Sequence, residues 1–146
     1  MEGPLQQPGA GQRLIFIDSS FFIALLSERG TRHEIAHQLF NEVAVGPLVT
    51  TNLIRGETWT WLRRKRWHAM AVEFLDSIGG PRRHIRVDRV SEEQEDEALD
   101  WLRRHDEREF SFVDATSFAY MRARRITDVL AFDGDFAAAG FNELRP

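Results

Sequence analysis

Five acidic side chains occupy positions where a polar group is unexpected, either after apolar runs or on the inward faces of predicted helices. They are Asp18, Glu57, Asp114, Asp133 and Asp135. An oxygen-only set suits the hard cations Mg²⁺ and Mn²⁺ and requires no histidine or cysteine. Without a cation, carboxylates a few ångströms apart would repel and raise one another's pKa. A bound cation would remove that conflict, activate a water and stabilise charge on a phosphoryl oxygen, so the cluster predicts cleavage of a phosphodiester by water.

Two of the acids, Asp18 and Asp133, follow predicted strands. Asp18 comes directly after the apolar run 14–17, and Asp133 follows the run 128–132. Carboxylates are rarely buried unless they are paired or bind a cation. Open parallel sheets place their sites beyond the carboxyl ends of the strands. The two acids are therefore expected to lie at the same edge of one sheet.

Asp18 and Asp114 each have a structural alternative, because both stand where a helix is predicted to begin. Asp18 could be the N-cap of the next helix, although Ser19 or Ser20 could fill that role. Asp114 stands three residues after Ser111, which is the spacing of a capping box. A capping role alone would account for Asp114 without any chemistry.

The other three acids also have alternatives. Glu57 lies in a predicted helix beside apolar positions, where it could be a peripheral glutamate with its stem on the apolar surface. Gly56 next to it is unexpected, since glycine destabilises a helix by roughly 1 kcal/mol relative to alanine; close approach of a backbone or ligand would explain it. Asp133 and Asp135 flank Gly134 and could simply form a turn.

The elements that must position these acids alternate between short apolar strands and helices. Strands are predicted at 14–17, 48–50, 84–87 and 128–132, with a possible edge strand at 143–145. Helices are predicted at 19–26, from Thr31 onward, at 52–66 after a cap at Thr51 or Asn52, and at 67–78, 91–105, 111–124 and 136–139. This alternation indicates an α/β fold whose parallel sheet is covered on both faces.

The composition indicates an ordinary globular domain. The chain has 146 residues, 42% hydrophobic and 29% charged, which is enough for one domain with a core of its own. There is no cysteine, so disulfides and thiolate chemistry are excluded. No apolar run is long enough to cross a membrane. Residues 1–12 are expected to be a flexible tail rather than a signal peptide, residues 13–146 the domain, and the protein cytosolic.

The basic residues are grouped, although the formal net charge is −4. Nearly all are arginines, in the groups Arg63–Arg66, Arg82–Arg83, Arg103–Arg104 and Arg122–Arg125. The planar guanidinium suits phosphate, but each group could equally be a solvated helix face. Trp59 and Trp61, close to the first group, predict an exposed apolar and basic surface that a partner could cover.

The acids lie in motifs that together resemble a known family. The motifs are Ile17-Asp18-Ser19-Ser20, Glu57 within a helix, Ser111-Phe112-Val113-Asp114-Ala115, and Phe132-Asp133-Gly134-Asp135-Phe136 followed by Gly140-Phe141. In order and spacing they resemble a PIN domain, closest to the VapC-type toxins of bacterial toxin–antitoxin pairs. The resemblance covers about residues 13–146.

The resemblance implies a Rossmann-like α/β/α sandwich with Mg²⁺- or Mn²⁺-dependent endoribonuclease activity on structured cellular RNA. Asp18, Glu57, Asp114 and Asp133 match the family's acidic quartet, and Asp135 matches a frequent fifth acid. Ser19 matches a small hydroxyl residue beside the first acid. The resemblance also implies a homodimer and a cognate antitoxin that inserts into the active-site groove.

Two departures and three rival functions remain open at this point. Ala131 stands where the family often has Thr or Ser, which predicts a missing hydrogen bond near the site, and the tail before Leu14 is longer than usual. The rivals are an RNA- or protein-binding PIN module with weak or no catalysis, a metal-dependent DNA nuclease, and a phosphotransfer receiver domain. A receiver would need a lysine near the last strands, whereas the only lysine is Lys65.

Overall fold

The computed structural model describes residues 13–81 and 84–146. The predicted tail, residues 1–12, and the Arg82–Arg83 pair lie outside the described residues. The strands are β1 (Ile15–Ile17), β2 (Leu48–Thr51), β3 (Ile85–Asp88), β4 (Asp128–Leu130) and β5 (Asn142–Glu143). The helices are α1 (Ser19–Leu26), α2 (His33–Val43), α3 (Asn52–Arg64), α4 (His68–Ser77), α5 (Glu92–Arg104), α6 (Phe112–Ala123) and α7 (Asp135–Ala138).

The five strands form one sheet in the order β3-β2-β1-β4-β5, and every pairing is parallel. The predicted Rossmann-like α/β/α sandwich is confirmed. The chain steps from β1 outward to β3 and then returns to β4 on the other side of β1. Because crossovers between parallel strands are right-handed, that reversal places α1–α4 on one face and α5–α6 on the other. The reversal at β1 and β4 is the switch point where such sheets place their sites.

The core has an aromatic cluster between the sheet and the helices of the second half. The Phe16 ring on β1 lies 5.8 Å from Tyr120 and 6.0 Å from Phe136. Phe118 on α6 contacts the Phe136 ring at 5.0 Å between centroids. Burial of such large rings supplies much of the hydrophobic stabilisation and ties α6 and α7 to β1. The elements that carry Asp18, Asp114 and Asp135 are thereby held in fixed relation.

Several helices begin as their sequences predict. Thr51 caps α3, with its side chain accepting a hydrogen bond from the Ile54 N–H at 3.2 Å. Ser91 and Gln94 form a capping box at the start of α5. Each cap satisfies backbone donors that a helix otherwise leaves unpaired at its first turn.

The cap of α1 decides between two open alternatives, and the predicted start of α2 is wrong. The N-cap of α1 is Asp18 rather than Ser19 or Ser20, because its carboxylate accepts from the backbone N–H two residues later, as a capping side chain does. Thr31 does not cap α2, which begins at His33 after Arg32 and has no side-chain cap.

The last strands also differ from their predicted bounds. β4 ends at Leu130 rather than Phe132, and β5 covers Asn142–Glu143 rather than 143–145. Phe132 is nevertheless buried, with its ring stacked on Phe21 at 5.7 Å. The apolar sequence therefore extends beyond the last paired residue of β4, so hydropathy alone predicted too long a strand.

None of the helices in the described ranges combines the length and apolarity that a bilayer crossing would require.

Candidate active site

The first acid, Asp18, is 1% exposed at the carboxyl end of β1. Its Oδ2 accepts hydrogen bonds from the Ser20 N–H at 3.1 Å and the Ser20 hydroxyl at 2.6 Å. The backbone N–H of Asp18 donates to the Leu130 carbonyl at the end of β4. Two neighbouring strand ends thus hold this carboxylate in a single position.

The surroundings of Asp18 disfavour a negative charge. Burial, with the nearby charge of Asp133 acting in the same direction, raises the pKa of Asp18 to about 8, although the Ser20 hydrogen bonds oppose the shift. Among the described residues no ion pair includes Asp18. A buried carboxylate without a cationic partner either takes up a proton or binds a metal ion.

Three further acids converge beside it. Carboxylate oxygens of Asp114, Asp133 and Asp135 all lie within 4.8 Å of one another. Asp114 lies in the first turn of α6, Asp133 in the loop after β4, and Asp135 at the start of α7. Oxygen atoms at this separation can serve as ligands of one divalent cation. The convergence is compatible with these three residues being metal ligands, which remains a prediction.

Asp114 combines the two roles that its sequence position left open. It is 8% exposed, accepts from the Ser111 N–H at 2.9 Å, and its own N–H donates to the Ser111 hydroxyl at 2.9 Å. The predicted capping box is therefore present. Burial raises the pKa of Asp114, and the negative charges of Asp135 and Glu57 act in the same direction. The cap does not compete with a site role, because it orients the carboxylate at the cluster.

Asp133 and Asp135 form the outer rim of the cluster. The Asp133 residue is exposed overall, yet neighbouring groups displace water from its carboxylate, and this desolvation raises its pKa to about 6. The Asp135 N–H donates to Asp133 Oδ1 at 3.1 Å. Gly134 between them has a φ of 81°, a left-handed conformation that favours glycine. The predicted turn is thus present, and it points both acids toward Asp114.

Glu57 is placed by α3 on the other side of the site. Its Oε1 accepts a hydrogen bond from the Ser19 hydroxyl, which joins the first turn of α1 to α3. Glu57 is not part of the group of three oxygens within 4.8 Å, although its charge acts on Asp114. Asp114 and Asp133 of the predicted quartet thus lie in the group within 4.8 Å, while Glu57 is held by Ser19.

Two residues near the cluster were not predicted from the sequence. Arg108 Nε donates to Asp135 Oδ1 at 2.9 Å and brings a guanidinium to the rim. Glu143 accepts from the Gly134 and Ala137 N–H groups at 3.2 and 2.9 Å, and so anchors the loop that carries Asp133 and Asp135. Arg108 lies in an irregular segment and Glu143 in a two-residue strand, so no periodic pattern marks either of them.

The hydrogen bonding around Ala131 is provided by a different residue. The Ser20 hydroxyl, which contacts Asp18, also accepts a hydrogen bond from the Phe132 N–H at 3.0 Å. Ala131 itself is buried, and its carbonyl accepts from Arg145 Nη1 at 2.9 Å. Ser20 therefore links the first acid to the segment after β4, where a side chain at Ala131 offers no polar group.

The arginine groups differ in their surroundings. Arg124 pairs with Asp88 at 2.9 Å, and Arg122 lies 5.7 Å from the Trp101 ring, so both have structural partners. Arg103 pairs with Asp100 at 2.6 Å. Within the described part of the chain no ion pair involves any residue of the Arg63–Arg66 run, which is exposed. This run is the group best placed to meet phosphates.

The predicted exposed apolar surface on α3 is only partly present. Trp59 and Trp61 are half-buried and pack against the core. Their rings contact α4 and the residue before it, Trp59 at 5.9 Å from His68 and Trp61 at 5.8 Å from Trp67. Because α4 folds back against α3, part of each ring is covered, so the apolar surface at these two residues is smaller than predicted.

Known proteins share both the sequence and the fold. A family profile described as PIN domain matches residues 15–142. The 23S rRNA-specific endonuclease VapC20 of Mycobacterium tuberculosis is 46% identical over 138 residues, covering 91% of this chain and 99% of that protein. Its crystal structure, described as that of a sarcin-ricin loop cleaving toxin, superimposes with a TM-score of 0.81 at 47% identity, covering 90% of this chain and 99% of that one. A toxin–antitoxin complex from Klebsiella pneumoniae shares the fold, with a TM-score of 0.62 at 15% identity over 86% of this chain and 92% of that one.

Proposed function

Because this chain belongs to the PIN-domain family, we propose that it is a VapC-type endoribonuclease that cleaves 23S ribosomal RNA within an exposed loop. The observation that carries the proposal is the convergence of Asp114, Asp133 and Asp135 within 4.8 Å, beside a buried Asp18 that has no cationic partner among the described residues. The substrate is inferred from the relative that is 46% identical and is described as specific for 23S rRNA.

The residues present fit a divalent metal ion. All five predicted ligands offer carboxylate oxygens, the donors preferred by Mg²⁺ and Mn²⁺, and the pKa of Asp18 and that of Asp114 are raised by burial. Asp18, Asp114 and Asp133 would hold the metal, with Glu57 and Asp135 completing the set. The ion would supply a water of lowered pKa and electrostatic stabilisation of the phosphoryl oxygens.

The side chains around the acids have positioning roles in this proposal. Ser20 fixes Asp18 through two hydrogen bonds, Ser111 fixes Asp114, and Ser19 holds Glu57 toward α1. Arg108 brings positive charge to the rim, where it would meet a substrate phosphate. Such preorganisation matters because charge stabilisation in a water-poor site depends on groups that do not have to reorient during the reaction.

The partners follow from the same relatives. We propose a cognate antitoxin as the inhibitor and a homodimer as the functional form, in keeping with the VapC resemblance. Ribosomal RNA as the substrate would place the reaction in the cytoplasm. A PIN module that binds RNA or protein without cleaving it, and a DNA nuclease, are the competing outcomes of the cleavage experiment.

The test is cleavage of purified ribosomes and protein-free rRNA with Mg²⁺ or Mn²⁺, with mapping of the new RNA ends. Asp114→Asn should lower the cleavage rate by at least about a hundredfold, because removing one charge-stabilising group at an active site commonly costs 10²–10³ in rate. Its fold should persist, since asparagine retains an oxygen for the Ser111 cap.

The matched control is Asp100→Asn, which removes an exposed acid on α5 that pairs with Arg103. This variant should cleave as the wild type does. Full activity of Asp114→Asn, or cleavage in excess chelator, would contradict the metal site. Cleavage of DNA at least as fast as RNA would favour the DNA nuclease, and RNA binding without any cleavage would favour the binding module.

A further inference from the structure

A groove of about 540 Å³ runs along α3. Glu57 is the candidate site acid that forms part of its wall, so the groove borders the proposed active site at that residue. The remaining lining residues come from one side of α3 and from the start of α6: Asn52, Leu53, Gly56, Thr60, Trp61, Arg64 and Val113. Any RNA whose phosphate lies at the acids would have its neighbouring nucleotides next to this groove.

The helix α3 has two distinct faces. Ile54, Thr58 and Leu62 are fully buried and face the core. The groove residues recur at intervals of three and four positions on an adjacent stripe, which is the spacing of one helical face. No other element of the described chain fills the space over this stripe, and the pocket remains open.

Gly56 lies in the middle of that stripe and has no explanation within the described chain. A Cβ added at Gly56 would meet no atom within 4 Å, so no neighbouring element requires a glycine there. Glycine also weakens a helix relative to alanine. The described chain could therefore accommodate a side chain at Gly56, and the absence of one widens the groove at this point.

The chemistry of the lining suits a nucleobase. Leu53, Val113 and the Trp61 ring offer flat apolar surface, and Trp61 is held in place by Trp67 at 5.8 Å between ring centroids. The Asn52 Oδ1 accepts from the Val90 N–H at 2.9 Å, which orients the amide and leaves its nitrogen to donate. The exposed Thr60 hydroxyl adds a donor and acceptor.

Positive charge lies at the far end of the groove. Arg64 lines it, and Lys65 Nζ lies 5.3 Å over the Trp61 ring. An aromatic and apolar slot with a cation beside it is the arrangement by which proteins bind single-stranded nucleic acid, with the base stacked and its phosphate paired. Loops of RNA present such unstacked bases.

We propose that this groove binds an unpaired nucleobase adjacent to the scissile phosphate, with Gly56 leaving room for the base and Arg64 contacting a neighbouring phosphate. The inference rests on the proposed RNA-cleaving function and deepens it by assigning a subsite that selects nucleotides. Trp61 becomes a specificity-determining residue through stacking, whereas Asn52, about 13 Å away along α3, would contact the edge of a different nucleotide.

The test introduces a side chain into the groove without harming the helix. Gly56→Leu places a good helix former at a position with open space, so thermal unfolding should occur at the wild-type temperature or above. Its kcat/KM on a short RNA spanning the mapped cleavage site should fall by on the order of tenfold or more, the equivalent of losing one stacked base. The matched control, Ala123→Leu, adds bulk at an exposed position at the far end of α6 and should cleave as the wild type does.

A second experiment uses RNA substrates that lack single bases. Replacing single nucleotides beside the cleavage site with abasic ones should lower wild-type kcat/KM at one position by a similar factor. The same replacement should cause little further loss with Gly56→Leu, because the variant no longer holds that base. The proposal would be overturned if Gly56→Leu cleaved with the wild-type kcat/KM, or if no abasic replacement lowered the kcat/KM of the wild type.

Two further outcomes separate this proposal from its premise. Normal cleavage by Gly56→Leu together with a lower molar mass in light scattering, or with loss of inhibition by a co-expressed antitoxin, would assign the groove to a protein and overturn the nucleobase subsite. If the wild type cleaves no RNA, the proposed function fails, and titration of the tryptophan fluorescence with a short single-stranded RNA in chelator decides the subsite. Quenching that disappears in Gly56→Leu and in Trp61→Phe would support it, and the absence of quenching would overturn it.

Discussion

At the scale of single residues, Asp18 shows that one side chain can cap a helix and also lie in the proposed metal site. Its carboxylate caps α1, which explains why the chain can place an acid at the end of a buried strand. The same burial raises its pKa to about 8, so the charged form is unfavourable until a cation arrives. Asp114 repeats this combination at the start of α6. A capping role and a site role are therefore compatible for both residues, although their sequence positions presented them as alternatives.

The first prediction concerns the pH dependence of stability without metal. The folded-state pKa of Asp18 is about 8, against about 3.9 in an unfolded chain. The folded protein thus retains a proton that the unfolded chain releases, and this contribution is lost as pH rises from about 4 to 8. The free energy of unfolding should fall over that window, by up to about 1.4 kcal/mol per pH unit from this group.

Calorimetry of the wild type and Asp18→Asn in chelator measures this effect. Asparagine still caps α1 but carries no charge, so the variant should be more stable than the wild type at pH 8 and lose that advantage near pH 4. Added Mn²⁺ should stabilise the wild type more than the variant at pH 8, because the variant lacks one proposed ligand and binding to the native state alone raises stability. An equal response of both proteins to pH and Mn²⁺ would contradict the role given to Asp18.

At the scale of elements, the site depends on a short segment that is held from outside. The helix α7 has only four residues and no side-chain cap at Gly134. Glu143 on β5 compensates by accepting two of its early N–H groups, and its own side chain is 5% exposed. An edge strand of two residues therefore orients the loop that carries two of the acids.

The second prediction follows from that anchor. Glu143→Ala should lower the free energy of unfolding by about 1–3 kcal/mol, because it leaves two backbone donors without their partner. Affinity for Mn²⁺ should also fall, since Asp133 and Asp135 lose their fixed positions. Urea denaturation and metal titration measure the two effects.

Glu143→Gln is the graded control for this prediction. Its amide keeps one acceptor oxygen, so both losses should be smaller than with alanine. Wild-type stability and wild-type Mn²⁺ affinity in Glu143→Ala would show that the loop is held by other residues.

At the scale of the whole molecule, acidic and basic groups are separated. The chain has a formal net charge of −4, and its candidate site acids lie together near the strand ends, while the exposed run Arg63–Arg66 lies at the end of α3. That separation would let an acidic protein hold a metal ion at one point and RNA phosphates at another. Several other arginines pair with acids and are less available to RNA.

The third prediction tests that separation through salt dependence. RNA affinity should weaken linearly in a plot of log K against log salt concentration, because bound phosphates release counterions. The double variant Arg63→Ala/Arg64→Ala should have a smaller slope, by roughly 0.7 for each phosphate of single-stranded RNA that the variant no longer neutralises. Arg103→Ala, which removes an arginine paired with Asp100, should keep the wild-type slope. Equal slopes in all three proteins would exclude the run from the RNA interface.

The sequence by itself determined the fold class and most elements of this protein. Apolar runs, capping residues and the glycine-containing turn around Gly134 are local features, and local sterics and hydrogen bonding decide them within a few residues. The ends of two predicted strands placed Asp18 and Asp133 at one edge of the sheet, because parallel strands have their carboxyl ends at the same edge. Hydropathy misjudged the end of β4, because Phe132 is buried by packing rather than by strand pairing.

Only the tertiary structure decided which side chains meet. Arg108 and Asp135 are 27 residues apart, and Ser19 and Glu57 are 38 apart, so no local pattern could pair them. The groove beside Gly56 depends on how α3 and α6 pack, and Trp59 and Trp61 became half-buried because α4 folds back on α3. Contacts across such distances depend on the geometry of the whole sheet and its crossovers, which short-range spacing in a single sequence does not encode.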